Sequence, residues 1–328
     1  MKKTSEIYPR LYHYTNEQGL YGILDHKCLW ATHYKFLKDY SEIVLFGDKL
    51  IEFLYPSTLD YYKELISEYP NAQDVILAQE GGLEAIVKQD IEMFVDFSYK
   101  SLGQEIYITS FCGEHQENIF INENGLLSQW RAYGGDGGFA IVFKTHDLEE
   151  MLTAEYDSFL YETLLLADVV YSDDEEKYKH ELSEFLHEIS AYNKKIFETI
   201  LKGKQEAPDS ALKACAAFIS CITRYKHQGF KEEKEIRIVT MPTIFDRYYQ
   251  EMAGDENRNS KPEKKREFRD KNGKQIPYVE LFQSLKTPLP IEKIIVGPHK
   301  DKDSRAAALR IKLRNTDIKV TVSEINGC

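Results

Sequence analysis

The segment Leu11-Tyr-His-Tyr-Thr15, followed by Gly19-Leu-Tyr-Gly-Ile-Leu24 and Leu29-Trp-Ala-Thr32, predicts a strand, a helix and a second strand. Alternate side chains of an extended segment share a face, so His13 and Thr15 should point to the same side. The middle segment carries an apolar stripe at helical spacing. A polar pair on a strand, braced by a helix, is typical of a small-molecule site, although a lone histidine is also a common structural residue.

The composition is that of a globular protein with an acidic surface. The 328 residues are 42% hydrophobic and carry a net charge of −12. The acidic balance disfavours broad binding to nucleic acid or to an anionic membrane, without excluding a local basic groove. No stretch approaches the roughly 18 apolar residues of a membrane helix, and no apolar secretion signal is visible. We therefore expect a cytoplasmic protein with no membrane partner and with an oligomeric state that the sequence leaves open.

Strands and helices alternate without a regular βαβ rhythm, which predicts an α+β fold with a mixed central β-sheet. We expect one domain over residues 1–328, with helical insertions at about 48–103 and 174–226. The second insertion should hold two long helices, at about 174–203 and 208–226. A segment at about 253–266, rich in Glu, Asn, Lys and Arg, is the best candidate for a mobile loop.

Three further local features follow from the sequence. Residues 113–125 have the composition of a polar loop. The apolar run 164–170 predicts a central strand. Asn272-Gly273, between two strand-like segments, predicts a β-hairpin.

A second cluster, Gln129-Trp-Arg-Ala-Tyr-Gly134, combines a planar cation with two aromatic rings beside a glycine-rich turn. Arg131 could bind a phosphate, and Trp130 or Tyr133 could stack on a heteroaromatic ring. An equally good alternative places Trp130 in the core and pairs Arg131 with a carboxylate. The glycines that follow lack the spacing of a nucleotide-binding loop and indicate a turn between two elements.

The third cluster is Gly229-Phe-Lys-Glu-Glu-Lys-Glu-Ile-Arg237. Alternation along a strand that starts at Glu235 places Glu235 and Arg237 on one side, facing a second layer, a cleft or solvent. A glutamate that opens a strand, across a cleft from His13, would suit chemistry at a sugar carbon. A solvated charged face is the alternative. We expect no metal site, because the histidines and the five cysteines lack a usual ligand spacing.

Together these clusters resemble a bacterial family known as domain of unknown function 2971 (DUF2971). The shared pattern is carried here by segments that keep their order along the chain: Leu11–Thr15, Leu29–Thr32, Lys38–Glu42, Ser110–Cys112, Gln129–Gly134, Gly229–Arg237 and Gly297-Pro298. Lys38 and Tyr40 depart from the asparagine and proline of that pattern. The family name implies no activity.

A more remote resemblance is to ADP-ribosyltransferases, through the His-x-Thr strand, the helix that follows it and a glutamate on a late strand. That resemblance implies an ADP-ribosyltransferase-like fold and NAD as substrate. It assigns His13 and Thr15 to the ribose and Glu235 to catalysis, because a carboxylate stabilises an oxocarbenium-like transition state. It further assigns Trp130 or Tyr133 to the nicotinamide, with Tyr34 as the next candidate. Arg131 would bind the diphosphate, and Arg237, on the same side of its strand as Glu235, is a further candidate for substrate binding.

The leading functional expectation is an NAD-dependent ADP-ribosyltransferase-like enzyme, such as a toxin or an anti-phage defence effector. Its acceptor would be nucleic acid or protein. A nucleotide-binding sensor or partner-binding module without turnover is the first alternative. A nucleic-acid-processing enzyme is the second, and the net charge of −12 argues against it.

Overall fold

The structure is a computed structural model. It describes residues 3–37, 40–68, 81–102, 105–172, 180, 183–202, 208–242 and 261–326. The expected mobile loop therefore lies mostly outside the described residues, as do Lys38 and Asp39 of the family pattern.

The secondary structure alternates between helices and strands along the whole chain. The helices are α1 (Thr4–Ile7), α2 (Glu17–His26), α3 (Tyr40–Glu68), α4 (Gly82–Leu102), α5 (Ile119–Asn124), α6 (Leu127–Tyr133), α7 (Thr145–Ser158), α8 (Ser183–Lys202), α9 (Pro208–Arg224) and α10 (Lys302–Lys312). The strands are β1 (Arg10–Thr15), β2 (Leu29–His33), β3 (Tyr107–Gly113), β4 (Phe139–Lys144), β5 (Tyr161–Asp168), β6 (Val170–Ser172), β7 (Tyr225–His227), β8 (Glu235–Pro242), β9 (Glu267–Lys271), β10 (Lys274–Leu281), β11 (Ile291–Val296) and β12 (Lys319–Val322).

Ten of the described strands form one mixed sheet in the order β12-β11-β4-β1-β3-β2-β10-β9, with β8 beside β3 and β5 beyond β8. The β11–β12 pair is parallel, and the other pairs in this sheet are antiparallel. Strands β6 and β7 form a separate parallel pair. This arrangement confirms the predicted α+β class and the mixed central sheet.

The sheet forks at β3. One edge of β3 pairs along its length with β8, from Tyr107 to Cys112. The other edge is shared, because β1 pairs with Cys112 and Gly113 whereas β2 pairs with Tyr107 and Ile108. Strands β1 and β2 therefore diverge beside the middle of β3, and α2 connects their ends.

The register assigns the side chains around the fork to two faces. Directly opposed residues of an antiparallel pair point to the same side of the sheet. Tyr12 opposes Cys112, which opposes Glu235, and we name this side the Glu235 face. His13 opposes Ile141 of β4 on the other side, which we name the His13 face.

Each face has its own apolar layer. The His13 face packs against α2, α7 and α10 in a cluster that includes Leu20, Phe111 and Phe143. The Glu235 face packs at one end on the helices α3, α4, α8 and α9, and at the other end on the smaller cluster around Trp130. The sheet is thus covered on both sides, so strand β8 is buried along its whole length.

Several predicted elements are observed and three need correction. The hairpin at Asn272-Gly273 is present, with Lys274 opposite Lys271. The expected polar loop 113–125 contains α5, because the Asn118 side chain accepts a hydrogen bond from the Ile121 N–H and caps that helix. The expected helix 208–226 ends at Arg224, since the next three residues pair with β6.

The run 164–170 divides into β5 and β6 instead of forming one strand. The break is at Val169, whose N–H donates to the Glu235 carbonyl at 2.9 Å. The mobile loop expected at about 253–266 stays a prediction, and only residues 261–266 of it are described. Lys264 is only 6% exposed, and its ammonium group pairs with the fully buried Glu155 carboxylate.

None of the described helices combines the length and the apolar character needed to span a bilayer. The expectation that residues 1–328 form one domain stays a prediction.

Candidate functional site

His13 lies at the fork, where its ring, and not the backbone of a neighbouring strand, contacts a carbonyl group of β3. Its Nδ1 is 3.0 Å from the carbonyl oxygen of Ser110, which lies on β3 between the residues that pair with β2 and those that pair with β1. Because a carbonyl can only accept, Nδ1 carries the hydrogen and Nε2 is left as an acceptor. The ring also packs against Phe111, with 5.6 Å between ring centroids. Burial lowers the pKa of His13 below 6.5, so the neutral imidazole is present at pH 7.

Thr15 ends β1 directly before α2, and its hydroxyl lies over the first turn of that helix. A Cβ atom added to Gly19 would lie 2.0 Å from Thr15 Oγ1, so glycine is required there for this packing. Asn16 caps the helix, since its side chain accepts the Gly19 N–H at 2.9 Å. The His-x-Thr strand and the glycine of the helix are therefore parts of one packed unit.

An open cleft of about 570 Å³ lies beside this helix end. It is formed by the first turn of α2, the glycine turn before β4 and one arginine of α10. Its lining residues are Asn16, Glu17, Gln18, Tyr21, Gly134, Gly135, Asp136, Gly137 and Arg305. Neither His13 nor Thr15 lines it, although Thr15 immediately precedes its first residue.

The glycine turn is held in place by α10 and the segment before it. The Arg305 guanidinium donates to the carbonyl oxygens of Asp136 and Gly137, at 3.0 and 2.5 Å. Gly137 has a φ of 78°, and a Cβ atom there would lie 2.5 Å from the His299 side chain. The turn is therefore a fixed wall of the cleft, in which backbone groups can approach a ligand closely.

Trp130 belongs to the core of the Glu235 face. It is 2% exposed, makes an edge-to-face contact with Tyr14 and donates its indole N–H to the Asn124 carbonyl at 3.0 Å. Cβ atoms added to Gly125 or Gly297 would lie 2.4 or 2.8 Å from its ring. The late Gly-Pro of the family pattern thus packs on the tryptophan, and no ring face of Trp130 is open for stacking.

Tyr133 and Arg131 remain at the surface of α6. Tyr133 is 39% exposed, and Arg131 is exposed as well. Both precede the glycine turn by a few residues, and neither lines the cleft. Tyr133 is therefore the ring of this cluster that is accessible to a ligand.

Glu235 is enclosed by cations. The Arg237 guanidinium contacts both of its carboxylate oxygens, at 2.8 and 3.0 Å, and the Lys226 ammonium group contacts Oε2 at 2.9 Å. Lys226 also donates to Glu233 at 2.8 Å, and Arg237 donates to the Thr223 carbonyl of α9 at 2.7 Å. We name these four charged residues the ion cluster: Lys226, Glu233, Glu235 and Arg237.

The ion cluster keeps the Glu235 carboxylate ionised. Burial alone would raise the pKa of Glu235, but the facing Arg237 and Lys226 lower it to about 2. Cys112 lies opposite Glu235 on β3. Burial and the acids Glu233 and Glu235 raise the pKa of its thiol well above 9, so it is a neutral thiol at pH 7.

The structure does not bring His13 and Glu235 together across one cleft. They lie on opposite faces of the sheet, with β3 between their strands. Tyr34 is in a third place. It is 3% exposed and lines a groove between α3 and α4. The predicted site residues are thus divided among the His13 face, the ion cluster, the core around Trp130, the surface of α6 and this groove.

The sequence analysis did not predict two arginines, Arg305 in the cleft lining and Arg269 beside Trp30. Arg305 reaches the cleft from α10, nearly 170 residues after the glycine turn that it holds. Arg269 of β9 stacks on Trp30, a residue of the opening motif. Alternation in the predicted hairpin could have placed Arg269 and Tyr278 on the sheet, but pairing with β2 is a long-range contact without a local sequence signal.

Within the described part of the chain, no group of three or more His, Cys, Asp or Glu side chains could hold a metal ion. In comparisons with known proteins, no curated protein and no solved structure matches the chain. The family model described as "Protein of unknown function (DUF2971)" matches residues 129–238, from the glutamine of α6 to Ile238 of β8. The match spans the second and third clusters of the family pattern, and the predicted DUF2971 resemblance is confirmed on this segment.

Proposed function

We propose that the chain is an ADP-ribosyltransferase-like protein that binds NAD in the cleft beside the N-terminus of α2. The observation that carries the proposal is the fork of the sheet at His13. Strands β1 and β2 leave the same edge of β3, and helix α2, which connects them, lines the cleft with its first turn.

His13 supplies a defined hydrogen-bonding group at this fork. Its Nδ1–H is engaged with the Ser110 carbonyl, so Nε2 is oriented and available as an acceptor. A ribose hydroxyl is a donor that such a nitrogen can accept. In the proposed complex the ribose lies at the fork and the remainder of the dinucleotide extends into the cleft.

The cleft suits a diphosphate for electrostatic reasons. The N-terminus of the ten-residue helix α2 carries a partial positive charge and faces the cleft. Arg305 adds a full positive charge, and the glycine turn lets backbone N–H groups approach a phosphate. Tyr21 lines the same cleft and offers a ring for an aromatic base.

The carboxylates nearest to such a ligand are Glu17 and Asp136, which line the cleft. Either could stabilise the positive charge that develops on the ribose as nicotinamide leaves. Glu235 is fully engaged by Lys226 and Arg237 on the opposite face. In this proposal Glu235 stabilises the pairing of β8 with β3 and does not contact the ligand.

The pairing of both Glu235 oxygens with cations favours a second candidate function, that of a nucleotide-binding module without turnover. Both of its oxygens accept hydrogen bonds from cations, so the expected catalytic carboxylate is not free to bind a ribose 2′-hydroxyl. Such a module would use the same cleft and would bind NAD without releasing nicotinamide.

The biological role that we propose is that of a cytoplasmic effector, such as a toxin or an anti-phage protein, that modifies nucleic acid or protein. The described cysteines Cys28, Cys112 and Cys221 are buried and free, in keeping with a reducing compartment.

The test is calorimetric titration with NAD, followed by mass spectrometry of free nicotinamide. We expect saturable binding that Arg305→Gln weakens roughly tenfold or more, through loss of a charged hydrogen-bonding group. Arg310→Gln is the matched control, because Arg310 is an exposed arginine on the same helix outside the cleft. Absence of NAD binding by the folded wild-type protein would refute the proposal.

Nicotinamide release separates the two candidates. Release that is lost in Glu17→Gln or Asp136→Asn, with binding retained, assigns turnover to the cleft. Binding without release in the wild type supports the module. Release that depends on Glu235 alone, in a variant shown to be folded, would contradict the role proposed here for that residue.

A further inference from the structure

Arg269 lies on an aromatic platform at the far side of the fork. Its guanidinium carbon is 5.0 Å from the centroid of the Trp30 ring and 5.8 Å from that of Tyr278. The two rings pack on each other with centroids 4.8 Å apart. We name Trp30, Thr32, Arg269 and Tyr278 the guanidinium shelf.

The shelf is assembled from three neighbouring strands, β2, β10 and β9. Tyr278 of β10 opposes Thr32 of β2, and Arg269 of β9 opposes Ile276, two residues before Tyr278. By this register the shelf lies on the Glu235 face. The rings fix the plane of the guanidinium, which is therefore oriented before any ligand arrives.

The guanidinium has spare hydrogen-bonding capacity. One of its N–H groups, on Nη2, donates to the Thr32 hydroxyl at 3.1 Å. Its Nε is buried and has no acceptor among the residues that the structure describes. Within the same residues no carboxylate lies within ion-pair distance of Arg269, although Glu267 and Glu280 lie near the Tyr278 ring. An arginine can donate five such bonds.

Three other described arginines that are shielded from solvent are paired with acids. Arg224 meets Asp168 at 2.9 Å, Arg237 meets Glu235 at 2.8 Å and Arg266 meets Glu105 at 2.9 Å. Burial lowers the pKa of Arg269 from its ordinary value, in keeping with a charged group that is partly desolvated. A guanidinium still keeps its charge at neutral pH.

We propose that the guanidinium shelf is an anion-binding site for the phosphate group of a small phosphorylated ligand. A phosphate offers two oxygens on one centre, which matches the parallel N–H groups of a fixed guanidinium. The partly buried position strengthens the interaction relative to one in open solvent. None of the shelf residues lines the cleft of the proposed function, so this site does not depend on NAD binding there.

The experiment is calorimetric titration of the full chain with inorganic pyrophosphate and, separately, with ADP. We expect Arg269→Gln to weaken pyrophosphate binding roughly tenfold to a hundredfold, the range for loss of a hydrogen bond to a charged group. Lys271→Gln is the matched control, since it removes one exposed positive charge from the same strand and should change the affinity by less than about twofold. ADP that binds more tightly than pyrophosphate identifies a nucleotide, and equal affinities identify a free phosphate group.

Two further variants keep the proposal falsifiable if Arg269→Gln is poorly folded. Arg269→Lys keeps the charge without the paired N–H groups and should give an intermediate affinity. Trp30 is one of two tryptophans, and the other, Trp130, is 2% exposed. Pyrophosphate should therefore change the tryptophan fluorescence of the wild type, and Trp30→Phe should remove that signal while calorimetry still detects binding.

Two results would overturn the proposal. One is equal pyrophosphate affinity in the wild type and a folded Arg269→Gln variant, and the other is no binding to the wild type. Binding that is lost in Arg305→Gln and kept in Arg269→Gln would place the anion in the cleft. That outcome would refute the shelf while leaving the proposed function intact.

Discussion

Arg237 and Arg269 lie on the same face of one sheet, but their guanidinium groups have different kinds of partner. Arg237 is 3% exposed and forms a two-pronged pair with Glu235 inside the ion cluster. Arg269 lies on two aromatic rings and donates to a threonine hydroxyl, with no described carboxylate partner. One charge is neutralised within the fold, whereas the other is held in a fixed position and left uncompensated.

This difference separates a structural role from a binding role. A buried ion pair whose partners satisfy each other contributes to the fold and has no capacity left for a ligand. An oriented charge without a counter-charge lowers the stability of the fold slightly, and it is stabilised when an anion binds. The partners of a charged residue near the fork therefore indicate its role better than its membership of a sequence motif. Glu235 belongs to a motif and is fully paired, whereas Arg269 belongs to none of the quoted motifs and has no described carboxylate partner.

The largest effect is expected when the ion cluster is broken. Glu235→Gln removes the carboxylate that Arg237 and Lys226 share within the ion cluster, and removing one partner of a buried pair typically lowers stability by about 3–5 kcal/mol. Urea unfolding should show this loss in the free energy of unfolding. Glu267→Gln, which removes an exposed acid, should change it by less than about 0.5 kcal/mol. Equal stability of the two variants would mean that the ion cluster does not hold the sheet.

The pH dependence of the free energy of unfolding should show how much the ionised Glu235 in the ion cluster contributes to stability. The pKa of Glu235 is about 2 in the folded chain and 4.5 for an ordinary glutamate, so its stabilisation is complete above pH 4.5 and is lost as the pH falls towards 2. The shift corresponds to a free energy on the order of 3 kcal/mol. The difference in unfolding free energy between wild type and Glu235→Gln should be constant above about pH 5.5 and shrink below pH 4.5. A difference that persists unchanged at pH 3 would exclude this origin.

The smallest effect is expected at Arg269. Its loss removes the contacts with Trp30 and Tyr278 but also removes a desolvated charge, so Arg269→Gln should change the free energy of unfolding by less than about 1 kcal/mol. Thermal unfolding in phosphate-free buffer measures this. A loss as large as that of Glu235→Gln would show that Arg269 is a structural residue and would remove the contrast between the two arginines.

The sequence predicted the parts of the fold that depend on local pattern. Alternation put His13 and Thr15 on one side of a strand, the apolar stripe gave α2, and Asn272-Gly273 gave the β9–β10 hairpin. Alternation also placed Glu235 and Arg237 on one side of β8, away from Ile236 and Ile238, which lie in the core of the His13 face.

The arrangement of these elements in space depends on which strands pair with each other, and the sequence did not show those pairs. The antiparallel register of β3 with β8 sets Glu235 on the face opposite to His13, and a shift by one residue would have reversed it. Trp130 was predicted equally well as a ligand platform or as core, and its contact with Gly297, far away in the sequence, has no local sequence signal. The cleft likewise combines α2, the glycine turn and α10 from distant parts of the chain.

The most direct test of the proposed function is amide hydrogen exchange with and without saturating NAD, read peptide by peptide. A bound ligand stabilises the backbone that it contacts, so exchange should slow at residues 16–21 of α2 and its cap and at residues 134–138 of the glycine turn. The β9–β10 hairpin lies outside the cleft, so protection there would report on the guanidinium shelf and not on the cleft. Unchanged exchange in both cleft segments at saturating NAD, or protection confined to residues 267–278, would contradict NAD binding in the cleft.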